Sequence, residues 1–453
     1  MVLRLLWYRI ILFPTPFTVY QMQDKFQKIW KNKLLGKTVK LSTITLLSNL
    51  LGFLIPIYIA YVYGISKQTD NFFLSYSVIT FVNVIFSSAI SSVTVPFLKE
   101  KLEDKKWLNS FISSFFNFCL KYIGLGSILI FIILLPVSHV IKSNFIFYLA
   151  LSVPILFFTV LNSFCYGILN SFDRFNMAAM SPFSRAIIIF ITIYFFNSSL
   201  GMVAVILGYN LGELFKLIHL LYIIKTRNNL SISLKERNYG LIKNFLKEGS
   251  FQAISTTISC ASPLIDKIVA SFLVVGSLSV LDYGDKVVLV FTILLNAFLV
   301  IILSKWSTEV IQKTFSIRKM HMIIMGILSL SLIAFFVIFL NRNLISGLLY
   351  PKLNHDKKVL IGTIFAITMA GFVFNSANQA INMANVAFKA TGVLVRTSTI
   401  KAIINFVFDI IFGLKFGVIG ISLSTVLVHL SGLVINYLVF RSKVLPKLSL
   451  VNS

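Results

Sequence analysis

The sequence predicts an all-α polytopic membrane protein of about twelve spanning helices. Three observations carry the prediction: 57% of the 453 residues are hydrophobic, only 12% are charged, and mean hydropathy is +0.89. A soluble chain of this composition could not cover its surface with polar groups. The apolar residues fall in repeated continuous runs of about 20, the length a helix needs to cross a hydrocarbon core of ~30 Å. They lack the period-two alternation of a membrane barrel.

Runs and breakers together place spans near 39–63, 71–97, 110–136, 144–169, 177–197, 199–224, 249–274, 284–304, 321–340, 358–386, 393–413 and 416–440. Residues 1–38 are expected to form a cytoplasmic extension, interfacial or disordered. Arg4, Arg9, Pro14 and Pro16 interrupt its apolar stretch, and it has no small-residue cleavage site. The connector 226–248 carries the stretch LKERNYGLIKNFLKEGS, which reads as a short amphipathic helix on the membrane surface. It separates an N-lobe (39–225) from a C-lobe (249–440), and a cytoplasmic tail (441–453) follows. Ile59-Ala60, Gly64 and Asp70 are echoed by Val269-Ala270, Gly276 and Asp285, a trace of duplication that suits a two-bundle transporter.

A formal net charge of +26 would suggest nucleic acid in a soluble protein, but here the cations lie between spans. Roughly two-thirds of the 41 Lys and Arg residues fall on one side of the membrane and about a sixth on the other, which places both termini in the cytoplasm. The basic excess therefore sets topology and implies no nucleic-acid partner. One loop, with Arg342, Lys352, Lys357 and Lys358, runs against the rule. Cys119, Cys165 and Cys260 all lie within apolar spans without metal or disulfide spacing and read as packing residues.

A charge at mid-span costs roughly 2.5–3.5 kcal/mol on insertion scales, so each one is a functional candidate. These are Lys121, Arg185, Glu213, Lys216, Asp266, Lys267, Lys286, Lys401 and Asp409, with Asp285 at a helix start. Lys121, Lys216 and Lys401 are placed where they could snorkel, and Glu213 and Lys216, three apart, could neutralise each other. Asp266 and Asp409 sit deeper, and Asn405 lies one turn before Asp409 on the same face. With Thr425 on the next span, they suit either a hard cation or a polar knot that fixes packing.

Three stretches, TDNFFLSY, GILNSFDRFNMAAMSP and LIDKIVASFLVVGSLSVLDYGDKV, occur in this order. Over nearly all of 39–440 the chain resembles the multidrug/oligosaccharidyl-lipid/polysaccharide exporter superfamily, within it the mouse-virulence-factor branch that includes lipid II flippases. The resemblance implies a V-shaped pair of six-helix lobes working by alternating access around a cationic cavity. It also implies a Na⁺ site at Asp266, Asn405, Asp409, the Ile421 carbonyl and Thr425. Family arginines on the first two helices correspond to Asn49, Ile55 and Asn83, and the one on the eighth to Lys286. Arg185 is a replacement cation, and Asp70 joins Lys286, Arg185, Asn49 and Asn83 as an expected substrate contact.

These departures favour a flippase for an undecaprenyl-pyrophosphate-linked O-antigen or capsule repeat unit, with lipid II transport as the alternative. Efflux of a hydrophobic cation conflicts with a cationic lumen. A polymerase or glycosyltransferase would need a sizeable extramembrane loop with acidic or metal-binding residues, and the sequence has none. A non-transporting scaffold would leave Asp266 and Asp409 unexplained. The expectation is a monomeric, non-enzymatic inner-membrane transporter with lipid partners and no cofactor other than Na⁺ as coupling ion.

Overall fold

The computed structural model describes residues 33–233, 238–388 and 391–444. The expected extension (1–38) and tail (441–453) lie largely outside the described residues. The N-lobe holds α1 (Lys33–Tyr63), α2 (Lys67–Lys99), α3 (Lys105–Ile141), α4 (Asn144–Ser171), α5 (Phe175–Leu200) and α6 (Met202–Asn228). The C-lobe holds α7 (Tyr239–Ser271), α8 (Ser277–Ile311), α9 (Ile317–Leu349) and α10 (His355–Ala387), then a long helical stretch, Thr391–Val439.

Ten described stretches are long and apolar enough to cross a membrane. The last of them is two helices, because Gly417 adopts φ +61°, a left-handed conformation that an α-helix cannot continue through. It divides α11 (391–416) from α12 (418–439). With α7, which is polar along its first half, the described helices number twelve.

Local chemistry moves several boundaries. α2 starts at Lys67 rather than 71 because Ser66 and Thr69 form a capping box, each side chain bonded to the other's backbone N–H. The segment 239–248, expected as a separate surface helix, runs straight into α7, with Asn238 as its N-cap. Its Phe245 is fully buried in an aromatic cluster with Phe97, Phe111, Phe115 and Phe164, so burial of that ring favours a continuous helix over one lying on the membrane.

Small residues set the closest helix approaches. A Cβ on Gly212 would stand 3.0 Å from the Arg185 carbonyl, and one on Gly208 would stand 3.4 Å from Ile189 Cα, so α5 and α6 meet backbone to backbone. That contact carries Arg185 to Glu213. On the outer faces, α3 and α9 present exposed Ile132, Ile133, Leu330 and Leu340 to lipid.

The lobes touch at both ends. At the Gly64 end, Asp70 accepts from Gly276 N–H at 2.5 Å and from Ser279 N–H at 2.8 Å and Oγ at 2.5 Å. Tyr63 donates to the Gly201 carbonyl, Tyr283 to Gly64 and Tyr350 to Tyr283, which ties the ends of α1 and α9 to α8 and to the α5–α6 turn there. At the opposite end, Ser88 and Thr256 hydroxyls lie 3.0 Å apart across the lobes.

Candidate functional site

Between these two closures lies a cavity of about 360 Å³ lined by α1, α2, α6, α7 and α8, continuous through Tyr76 and Lys286 with a second space of about 310 Å³. A side chamber of about 180 Å³ opens from Tyr76 and Arg185 into the N-lobe. Charge is placed around this space in two triads.

In the N-lobe triad, the Glu213 carboxylate is 2% exposed and takes Arg185 Nε at 3.0 Å, Lys216 Nζ at 3.7 Å and the Asn162 amide at 2.8 Å. Arg185 also donates to the Tyr76 hydroxyl at 3.0 Å and lies 5.4 Å from the Tyr209 ring centre. In the C-lobe triad, Asp282 is 2% exposed and pairs with both Lys267 and Lys286, the latter at 3.0 Å. Among the residues that line these spaces, four cations therefore share two carboxylates, a formal excess of two positive charges, which Asp285 behind Lys267 and Lys286 reduces to one.

The structure brings most of the expected substrate residues to this space. Lys286 and Arg185 line it, Asn49 faces the same space, and Asn83 lines the side chamber, where Thr159 donates to it. Asp70 is elsewhere: its oxygens are taken up by the inter-lobe clamp at Gly276 and Ser279. Lys216 does not snorkel to a helix end, because Glu213 holds it in the side chamber.

Asp282 escaped the sequence reading, although it lies four residues before Lys286 and so on the same helix face. Lys267 was singled out only as an intramembrane charge, since its partner fifteen residues away on another helix left no local trace.

The five expected ion-site residues also converge. The Asn405 amide donates to Asp266 Oδ1 at 2.6 Å and to Asp409 Oδ2 at 2.8 Å. The Thr425 hydroxyl lies 3.4 Å from Asp266 Oδ2 and 3.1 Å from the Ile421 carbonyl. Asp409 is fully buried, and its Oδ1 has no hydrogen-bond partner among the described residues. Beside the pair, a chamber of about 260 Å³ is lined by Lys401, His429 and Asn375 as well as Asp266, Asn405 and Thr425. Lys401 lies with its stem against Gly432 rather than extending to a helix end. α7 separates the two spaces: Leu264 and Lys267 line the inter-lobe cavity, Ser262 and Asp266 the C-lobe chamber, and Pro263 both.

A family model described as lipid II flippase MurJ matches residues 59–451. The chain belongs to that family. It is 28% identical over 306 residues to a probable lipid II flippase MurJ of Buchnera aphidicola subsp. Baizongia pistaciae, covering 62% of this chain and 59% of that protein. A second probable MurJ, from Buchnera aphidicola subsp. Acyrthosiphon pisum, is 30% identical over 275 residues, 56% of this chain and 53% of the relative. The chain thus spans between half and two-thirds of these relatives. Lipid II flippase MurJ of Thermosipho africanus is 26% identical over 432 residues, 91% of this chain and 86% of its own length.

Among solved structures, "Lipid II flippase MurJ, inward closed conformation" superposes with a TM-score of 0.75 at 23% identity, covering 89% of this chain and 88% of the other. An inward-facing multidrug resistance MATE family transporter of the MOP superfamily gives 0.70 at 12% identity over 92% and 99%. These likenesses establish the two-lobed MOP fold. Membership of the MurJ family overturns the expectation of an O-antigen or capsule repeat unit and favours the alternative. Loss of the arginines at Asn49, Ile55 and Asn83 had pointed away from lipid II, but the cationic character persists through Arg185, Lys216 and Lys267, supplied by other helices.

Proposed function

We propose that this chain is a lipid II flippase of the cytoplasmic membrane, a monomer with both termini inside that moves its substrate by alternating access without covalent chemistry. The observation that carries the reading is the pair of triads, whose surplus cations face one inter-lobe cavity. An anionic pyrophosphate linker entering that low-dielectric space gains charge-assisted hydrogen bonds. Asp282 and Glu213 keep the cations ordered until the anion arrives. Lys286 offers a point charge rather than the bidentate fork of an arginine, and Arg185 supplies the fork from the facing lobe.

The reading includes coupling to Na⁺ at Asp266, Asn405, Asp409, Ile421 and Thr425. The donor set suits a hard cation: every group offers oxygen once the Asn405 amide is turned, and its O/N assignment follows from the surrounding hydrogen bonds. The orphaned Asp409 Oδ1 is a ready ligand. Two carboxylates with Lys401 alongside leave a formal charge of −1, which one monovalent cation balances. A cation that draws α7 toward α11 and α12 moves Lys267 with it, linking ion and substrate sites.

The test is rescue of a strain depleted of its lipid II flippase. The chain should restore growth at normal protein levels, Lys286→Ala should not, and Lys286→Arg should restore it in part. Failure of the membrane-inserted wild-type chain to rescue would reject lipid II as substrate.

A further inference from the structure

The C-lobe carries a file of buried and half-buried amides that neither the inter-lobe cavity nor the ion pair uses. Asn375, Asn378, Asn382 and Asn385 recur at spacings of three and four along α10, which puts them on one face over about 15 Å of helix rise. Asn375 lines the chamber beside the Asp266–Asp409 pair, and Asn385 lies two residues from the end of α10. Between them, Asn436 of α12 donates to Asn378 Oδ1 at 2.7 Å and to Asn382, a narrow point in the file.

Part of this file is left unsatisfied by protein. Asn385 is fully buried, and neither its Nδ2 nor its Oδ1 has a partner among the described residues; Asn436 Oδ1 and His429 Nδ1 are likewise orphaned. Buried polar atoms with no partner are rare and costly, and in hydrocarbon water is the usual remedy only where protein encloses a path for it. An asparagine seam that served only to pack helices would instead close its own hydrogen bonds.

We propose that this file is a hydrated path by which a small monovalent cation reaches the Asp266–Asp409 pair from the Asn385 end, separate from the substrate cavity behind α7. Amide oxygens and water replace the shell of a hard cation without binding it tightly, which suits passage, and the carboxylate pair supplies the terminus. Lys401 at the chamber holds the charge deficit to one, so the path selects against divalent ions. The inference rests on the Na⁺ reading of the carboxylate pair. Counting of loop cations places the Asn385 end in the cytoplasm.

The test uses the full chain with Cys119, Cys165 and Cys260 replaced by Ala, in membrane vesicles exposed to a membrane-impermeant trimethylammonium methanethiosulfonate. In inverted vesicles, Asn385→Cys and Asn382→Cys should react at least tenfold faster than Ile381→Cys, a 1%-exposed apolar neighbour on the same helix. In right-side-out vesicles both should be slow. Equal, slow labelling of all three overturns the path and leaves a dry packing seam, and fast labelling only in right-side-out vesicles overturns its direction. The Na⁺-dependent thermal shift of the unlabelled protein reads the carboxylate pair independently: a dry file with that shift intact removes the path alone, whereas a wet file without it removes the cation as its traveller.

Discussion

Asp70→Asn perturbs the inter-lobe clamp with a nearly isosteric change. In the wild-type structure one carboxylate receives three donors, the Gly276 N–H at 2.5 Å and the Ser279 N–H and Oγ at 2.8 and 2.5 Å. Asparagine keeps a single acceptor oxygen and turns an amide N–H toward a backbone N–H, so at least one charge-assisted bond is lost. Such a bond contributes about 1.5–3 kcal/mol. A loss of about 2 kcal/mol, felt only where the lobes are joined at this end, moves the closed-to-open ratio by roughly thirtyfold. Spin labels at Lys67 and Asn354, exposed and on opposite lobes at this end, report the opening by pulsed electron paramagnetic resonance. Asp70→Asn should add a longer-distance population absent from the parent, whereas Asp356→Asn, an exposed first-turn residue of α10, should not. Identical distance distributions for Asp70→Asn and its parent would refute the clamp.

Three further outcomes are expected. Na⁺, but not equal K⁺ or choline, should raise the thermal stability of detergent-purified protein, by about 2.7 kcal/mol at a hundredfold excess over Kd; Asp266→Ala and Asp409→Ala should each abolish the shift, and Asp173→Ala should keep it. Gly284→Ala should lower stability by about 1–3 kcal/mol, because its Cβ would stand 2.2 Å from Ile364 Cγ2, and Ile364→Ala should recover most of the loss; full stability of the single variant would show that α8 and α10 are not in close contact there. Reporters after Ser453 and near Asn228 should read cytoplasmic and one near Ser198 external, and the reverse pattern would overturn the orientation.

Composition and run length by themselves determined an all-helical membrane protein of about twelve helices, since lipid admits only helices whose apolar residues match its thickness, whereas the division into two lobes was read from the polar connector and the family resemblance. Spacing within single helices was also legible: Asn405 and Asp409 share a face at i and i+4, and the structure joins them through one amide. Asp266 on α7 and Thr425 on α12 were also legible as candidate oxygen ligands, and resemblance to a family added the Ile421 carbonyl. What the sequence could not carry were pairings between helices distant in the chain. Asp70 reads as a charge at a span boundary, and only the approach of the α1–α2 and α7–α8 turns gives it two backbone donors more than 200 residues away. Lys267 and Asp282 likewise meet only because α7 and α8 fold side by side. The relocation of cavity cations from α1 and α2 to Arg185 and Lys216 was decided by the glycine-mediated contact of α5 with α6, because a charge's function depends on which low-dielectric space it faces, and the order of residues does not specify that face.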